Sequence, residues 1–199
     1  TCLPNGNDLS FTNVSSELFL RKYPIKQPFL IHVGRFDPVK NHLVLIEAIR
    51  KARANAVFIG NVVPGFEDYY SNCTKEANKA NISIINDLNH DNPVLASAYL
   101  AASVFVLPSL FETFGLAALE AATAGCNLVL SKNICSSEIF KDIASFVDPN
   151  NSNNIAQAIQ NAFTKERRPQ NSLLLNSYQW SKIVENLEKT YANVTQSLH

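Results

Sequence analysis

Two glutamates on either side of a predicted helix start are the most chemically informative residues of this sequence. Glu112 lies in a loop, and Glu120 follows eight positions later in an alanine-rich helical stretch. The backbone N–H groups of Phe114, Gly115 and Leu116, at the start of that helix, form a cradle for an anion. Carboxylates do not bind phosphate, but they accept hydrogen bonds from hydroxyl groups. The pattern therefore indicates a phosphorylated ligand with a sugar on one side and a ribose on the other.

A second loop brings positive charge. It begins with Gly34 and Arg35, and Asp37 followed by Pro38 predicts a helix start immediately after it. Lys40 then falls in the first helical turn, where the helix macrodipole disfavours a cation unless an anion shares the site. Arginine offers a planar fork and lysine a point charge, a pair suited to a diphosphate. From this loop alone, an exposed helix start is an equally good interpretation.

The elements that must position these loops are short apolar runs alternating with helical patterns. Continuous apolarity is typical of strands buried on both faces of a parallel sheet. The alternation predicts an α/β fold with a doubly wound, mostly parallel Rossmann-like sheet and flanking helices, in which ligands bind outside the carboxyl ends of the strands. The predicted strands are Phe29–Val33, Ala56–Ile59, Ile82–Ile85, Val104–Leu107, Leu128–Leu130 and Ser145–Val147, and the predicted helices are Val39–Ala52, Glu67–Ala80, Asn92–Ala101, Leu116–Thr123 and Asn154–Phe163.

Composition narrows the function classes. The 199 residues carry 17 basic and 17 acidic side chains, which excludes nucleic-acid binding through an overall positive charge. No apolar run approaches the roughly 18 residues needed to cross a bilayer. The four cysteines form no C-x-x-C pair, which favours reduced thiols in the cytoplasm over a metal centre or a disulfide framework. Because the sequence contains no Met, we expect it to be a piece of a longer protein.

A final helix is predicted from one apolar stripe. Trp180, Ile183, Val184, Leu187 and Tyr191 recur at the spacing of one helix face. No predicted strand follows this helix. The simpler interpretation is that the stripe closes the same core, and the alternative is that it docks onto another domain.

Three motifs in the expected order give the chain a resemblance to a known family. The run Glu112-x-Phe-Gly-x-x-x-x-Glu120 resembles the E-x7-E motif of the retaining GT-B glycosyltransferases of family four, which are relatives of glycogen synthases, sucrose synthases and bacterial mannosyltransferases. Arg35 and Lys40 resemble the diphosphate-binding pair of that family. Pro4-Asn5-Gly6-x-Asp8 resembles the segment at the junction between the two GT-B domains.

This resemblance implies a role for each matching residue. Arg35 and Lys40 would hold the donor diphosphate, together with backbone N–H groups at the helix start. Glu120 would accept hydrogen bonds from the ribose, and Glu112 would contact the transferred sugar at the reacting centre. The implied site comprises Glu112 as the catalytic residue, Gly34, Arg35, Lys40, Phe114, Gly115 and Leu116 for the diphosphate, Glu120 for the ribose, and Asn86, Asp87 and Leu88 near the base.

The resemblance also implies the reaction and the domain plan. It implies retaining transfer of a hexosyl group from a UDP-, GDP- or ADP-sugar, with no cofactor and no metal. Residues 1–28 would form the interdomain junction and first helix, residues 29–178 the nucleotide-sugar-binding domain, and residues 179–199 a helix crossing back toward a missing N-terminal acceptor domain. The fragment alone would bind the donor and transfer nothing efficiently. The expected location is the cytoplasm, with any contact to the cytoplasmic face of a membrane made through the missing domain.

Other interpretations remain open at this point. A GT-B-shaped epimerase of UDP-sugars would carry a serine- and glycine-rich phosphate loop, which this sequence lacks. A dinucleotide-binding oxidoreductase would show G-x-G-x-x-G after the first strand, where this sequence has a lone glycine. A non-catalytic nucleotide-binding module fits the sequence as well. His32, His42, His90 and His199 form no triad pattern and are interpreted as structural or solvent-facing.

Overall fold

A parallel sheet forms the centre of the protein. The structure, a computed structural model, describes residues 5–6, 11, 13–134, 137–169 and 177–196. Its strands are β1 (Phe29–Val33), β2 (Asn55–Ile59), β3 (Ile82–Ile85), β4 (Val104–Leu107), β5 (Asn127–Ser131) and β6 (Ala144–Val147). They are hydrogen-bonded in the order β3-β2-β1-β4-β5-β6, and every pair is parallel. This confirms the predicted doubly wound α/β sheet, with strand bounds within a residue of those predicted.

Helices cover both faces of the sheet. One apolar core lies under α1, α4 and α5 and contains Phe19, Tyr99 and Phe105. The other lies under α2, α3 and α7 and contains Phe36 and Phe58. The helices are α1 (Glu17–Lys22), α2 (His42–Ala52), α3 (Glu67–Ala77), α4 (Pro93–Ala101), α5 (Leu116–Ala124), α6 (Ser137–Phe140), α7 (Ser152–Phe163) and α8 (Trp180–Gln196).

The helix predicted over Val39–Ala52 begins later than predicted. Asp37 caps a start as expected, because its carboxylate accepts the N–H groups of Val39 and Lys40 at 2.9 and 3.2 Å. The cap, however, opens a single 3₁₀ turn that ends at Lys40, and α2 starts after an intervening left-handed residue, Asn41 (φ 61°). Lys40 therefore lies outside the first turn of α2, and the prediction that the macrodipole of this helix acts on it is wrong.

Asn41 has a tertiary reason for this conformation. Its buried side-chain amide donates to the carbonyl of Pro108 at 3.1 Å and to that of Pro149 at 2.7 Å. Asparagine tolerates the left-handed region better than most residues. The amide thus fixes the chain between the 3₁₀ turn and α2, and it holds this turn against the loop that follows β4.

The final helix α8 is mostly exposed along its apolar stripe. Ile183 is buried, whereas Trp180, Val184 and Tyr191 are 45%, 46% and 64% exposed. The interpretation that the whole stripe closes the described core therefore holds for Ile183 but not for these three residues. The indole of Trp180 instead lies so close to Gly6 that a Cβ added there would stand 2.5 Å from the ring.

Two predictions fall partly on residues outside those the structure describes. Pro4 and Asp8 of the junction motif lie there, whereas Asn5 and Gly6 are described. Of the cysteines, Cys73 and Cys126 are buried free thiols, and Cys2 and Cys135 lie outside the described residues.

Candidate functional site

A cavity of about 530 Å³ opens at the carboxyl ends of β1 and β4. These neighbouring strands are the point at which the strand order reverses, so the crossovers leave in opposite directions and a crevice remains between them. The volume lies within the roughly 300–1,000 Å³ of small-molecule sites. Of the residues predicted for the site, Gly34, Arg35, Lys40, Leu88, Glu112, Phe114, Gly115, Leu116 and Glu120 line the cavity.

Asn86 and Asp87, predicted near the base, are not brought to this cavity. The amide of Asn86 donates to the Tyr70 hydroxyl at 3.1 Å. The Asp87 carboxylate accepts the Tyr23 hydroxyl at 2.9 Å, in a separate depression beside α1. Of the three residues predicted for the base, the structure therefore places Leu88 at the cavity and turns the other two toward neighbouring elements.

Lys40 and Glu112 form an ion pair inside the cavity. The ammonium Nζ of Lys40 lies 2.6 Å from Oε2 of Glu112, and the two side chains are 19% and 13% exposed. A backbone hydrogen bond of 2.8 Å from the N–H of Leu110 to the carbonyl of Val39 joins the same two loops. The positive and the negative charge of the predicted site therefore neutralise each other.

Glu120 is a buried carboxylate with two protein donors. Its side chain is 4% exposed. Oε2 accepts the hydroxyl of Tyr99 at 2.7 Å, and Oε1 lies 2.9 Å from Nε2 of His90. Burial and the neighbouring Glu120 charge raise the pKa of Tyr99 well above its usual value, so this hydroxyl stays protonated and donates. A buried charge needs such donors, and Glu120 has one on each oxygen.

The start of α5 is the predicted anion cradle. Gly115 precedes the helix in the left-handed conformation (φ 76°), and a Cβ there would stand 2.8 Å from Cδ1 of Ile134. Within the described residues no side chain caps this helix start. Gly115, Leu116 and Ala117 line the cavity, so the positive end of the helix lies at the same place as Lys40.

Sequence reasoning missed several residues of the cavity wall. His90 was interpreted as structural or solvent-facing, but it lines the cavity and contacts Glu120. Gly60 carried a usable signal, since it follows β2 directly, at the same edge of the sheet as Gly34. His90 carried no such signal, because Glu120, which it contacts, lies 30 positions further along the chain. The other missed residues of the wall include Asn5, Asn61, Leu95 and Thr113.

Gly60 permits the close approach of two loops. A Cβ at this position would stand 1.9 Å from the carbonyl oxygen of Gly34, and the N–H of Gly34 donates to the carbonyl of Ile59 at 3.0 Å. That oxygen is main chain, so the loop carrying Arg35 would have to shift to make room for any side chain.

We expect Gly60→Ala to lower the free energy of unfolding by about 1–3 kcal/mol, the usual effect of overpacking. Urea denaturation measures it. Gly65→Ala is the matched control. Gly65 has a left-handed backbone conformation, but a Cβ added there has nothing within 4 Å, so this variant reports backbone strain alone. Equal losses in the two variants would contradict a clash with Gly34.

The described residues bear on metal binding and on membrane insertion. Among these residues, no group of three or more His, Cys, Asp or Glu side chains is placed to hold a metal ion. No helix among them is both long enough and apolar enough to cross a membrane.

Comparisons with known proteins agree with the geometry. The family model described as Glycosyl transferases group 1 matches residues 16–180. The chain is 30% identical over 161 residues to the O-antigen chain mannosyltransferase B of Escherichia coli, a match covering 74% of this chain and 41% of that protein.

Solved structures show the same fold. A sucrose-phosphate synthase from Thermosynechococcus elongatus matches with a TM-score of 0.82 and 22% identity, over 98% of this chain and 52% of that one. Anabaena HepE, solved in complex with UDP and glucose, matches with a TM-score of 0.78 and 17% identity, over 97% and 57%. The chain thus spans about half the length of these proteins, or less.

Proposed function

Because the chain belongs to the group 1 glycosyl transferases, we propose that it is the donor-binding half of a retaining enzyme that uses a nucleoside diphosphate sugar. One observation carries the proposal. A single cavity at the switch point of the sheet brings together a basic pair, an anion-binding helix start and two glutamates. Each of these groups suits one part of such a donor.

The basic residues suit the diphosphate. The Arg35 guanidinium is 73% exposed and lies 3.9 Å from Asp37, a loose contact that costs little to give up. Lys40 reaches the cavity from the 3₁₀ turn, opposite the start of α5. Two cations and a helix start supply the positive charge that a leaving diphosphate needs, which is why we propose a reaction without a metal ion.

The two glutamates suit the hydroxyl-bearing parts. Buried Glu120 would accept hydrogen bonds from the ribose. Glu112, in the loop before α5, would contact the transferred sugar, whose anomeric carbon becomes positive as the diphosphate leaves. A carboxylate fixed near that carbon stabilises the developing charge. Retention of the anomeric configuration belongs to this proposal through the resemblance to family four.

The acceptor would bind to a second half outside this chain. The matched relatives are about twice as long or longer, which supports a two-domain protein. The exposed stripe of α8, formed by Trp180, Val184 and Tyr191, offers apolar surface for contact with that half. We propose a cytoplasmic location. The cytoplasm supplies nucleotide sugars, and it keeps thiols such as those of Cys73 and Cys126 reduced.

Isothermal titration calorimetry with UDP, GDP and ADP tests donor binding directly. UDP comes first, since the Anabaena neighbour was solved with it. We expect Lys40→Ala to weaken binding by about 1.5–3 kcal/mol, the contribution of a charge-assisted hydrogen bond. EDTA should leave the affinity unchanged.

Lys79→Ala is the matched control for the loss of a lysine, because Lys79 is exposed in the turn after α3 and pairs with Glu76. Nucleotide binding that EDTA abolishes would contradict the metal-free site. An affinity unchanged by Lys40→Ala would remove Lys40 from the diphosphate site.

A further inference from the structure

We propose that His90 is a positioning residue that orients the Glu120 carboxylate toward the two hydroxyl groups of a ribose. This inference rests on the proposed function, since it names the part of the donor that Glu120 binds and the residue that prepares it. Nε2 of His90 lies 2.9 Å from Oε1 of Glu120, within hydrogen-bond distance.

The Glu120 carboxylate has a defined number of hydrogen-bond acceptor sites left for a ligand. An ionised carboxylate has about four acceptor sites on its two oxygens. Tyr99 uses one on Oε2, and His90 uses one on Oε1. One site is left on each oxygen, which matches a vicinal diol such as the 2′ and 3′ hydroxyls of a ribose.

The two donors also fix the carboxylate in space. Tyr99 is fully buried and approaches Glu120 from α4, whereas His90 approaches from the loop between β3 and α4. With a donor on each oxygen, the plane of the carboxylate cannot turn without losing a hydrogen bond. Glu120 is therefore preorganised, so little side-chain ordering remains for the ligand to impose.

The loop that carries His90 is anchored on both sides of it. Leu88 is 5% exposed, and the side chain of Asn92 caps α4 by accepting the N–H of Val94 at 3.0 Å. The His90 side chain itself is 52% exposed while it lines the cavity. The imidazole can therefore be removed without opening the core, which makes its role accessible to substitution.

The test compares ligands with and without the hydroxyls. UDP, 2′-deoxy-UDP, 3′-deoxy-UDP and inorganic pyrophosphate are titrated into the chain and into His90→Ala. We expect His90→Ala to weaken UDP about tenfold, as for a lost charge-assisted hydrogen bond, while pyrophosphate binds as before. The preference for UDP over the deoxy analogues should shrink by a similar factor. A merely structural role would weaken all four ligands together.

Three further variants sharpen the result. His90→Gln keeps a side-chain donor and should restore most of the preference for UDP. Asn89→Ala is the control, because Asn89 is an exposed neighbour in the same loop that does not line the cavity. Tyr99→Phe removes the other donor and should reduce the same preference, provided that its thermal unfolding remains cooperative.

The outcomes separate this inference from the proposed function. Suppose that the wild-type chain binds UDP and pyrophosphate, and that His90→Ala loses affinity by the same factor for every ligand or for none. This result would overturn the role of His90 alone. Wild-type chain that binds UDP no better than its deoxy analogues would also overturn it. Wild-type chain that binds none of the nucleotides would overturn the proposed function, and this inference with it.

Discussion

Glu112→Gln should lower the turnover of the two-domain enzyme on the order of 10²–10³-fold while leaving UDP affinity unchanged or higher. The amide keeps the size of the side chain and loses its charge. In the structure that charge neutralises the ammonium group of Lys40, which lies 2.6 Å from Oε2 of Glu112. Glutamine would release Lys40 for the diphosphate and remove a repulsion between the carboxylate and the phosphate oxygens, so the affinity should not fall.

Turnover responds differently because the anomeric carbon becomes positive only as the reaction proceeds. An interaction made mainly in the transition state lowers kcat when it is removed, with little effect on ground-state binding. The measurement is steady-state transfer from the donor, in an enzyme that joins this chain to its acceptor-binding half, beside calorimetry of UDP.

Glu120→Gln is the matched comparison. Because Glu120 is assigned to the ribose, this change should weaken UDP and the nucleotide sugar alike. If Glu112→Gln weakened UDP as much as Glu120→Gln, the role of Glu112 would be to hold the loop before α5 in place through Lys40. If neither change altered binding or turnover, the E-x7-E pattern would be coincidental, and a non-catalytic nucleotide-binding module would be the better conclusion.

Local sequence was sufficient for the fold because each strand is an apolar run that needs no partner to be recognised. Phe29–Val33, Ile82–Ile85 and Val104–Leu107 have the predicted bounds. The loops followed from the strands, since ligand sites of such sheets lie at one edge. This rule predicts that Gly34 and Glu112 lie together, although 78 positions separate them in the chain.

Tertiary contacts determined what local sequence could not. Local sequence predicts Lys40 in a continuous helix, because nothing nearby in the chain shows that the Asn41 amide donates to the carbonyls of Pro108 and Pro149. The local sequence around His90 gives no sign of a functional role, because its partner, Glu120, lies on α5, 30 positions further along the chain. The exposure of the α8 stripe likewise depends on what the rest of the fold leaves uncovered.

Two buried histidines should make the protein strongly sensitive to acid. His32 and His42 are fully buried, with ring centroids 4.7 Å apart. Nδ1 of His32 contacts the carbonyl of Val106 at 2.8 Å, while His32 Nε2 and both nitrogens of His42 lack a partner of good geometry among the described residues. Desolvation lowers the pKa of His32 to about 4. Desolvation, followed by repulsion from His32, lowers the pKa of His42 to about 2.

The direction of the effect follows from where the protons bind. Unfolded histidines titrate near pH 6.5, whereas the folded pair stays neutral far below that value. The stability that the neutral pair contributes is therefore complete above pH 6.5 and is lost as the pH falls, because the unfolded chain then binds two protons that the folded protein excludes. Each histidine contributes about 1.4 kcal/mol per pH unit, so the pair should cost about 5 kcal/mol at pH 4.5.

Urea denaturation between pH 7.5 and 5.0 checks this prediction in a range where most carboxylates remain ionised. Below pH 6 the free energy of unfolding should fall by about 2.7 kcal/mol per pH unit, twice the contribution of one group. His42→Leu keeps a similar volume beside Phe36 and should halve that slope, since one titrating group is left. A flat profile in the wild type would mean that the imidazoles take up protons within the fold. An unchanged slope in His42→Leu would assign the acid sensitivity to groups other than this pair.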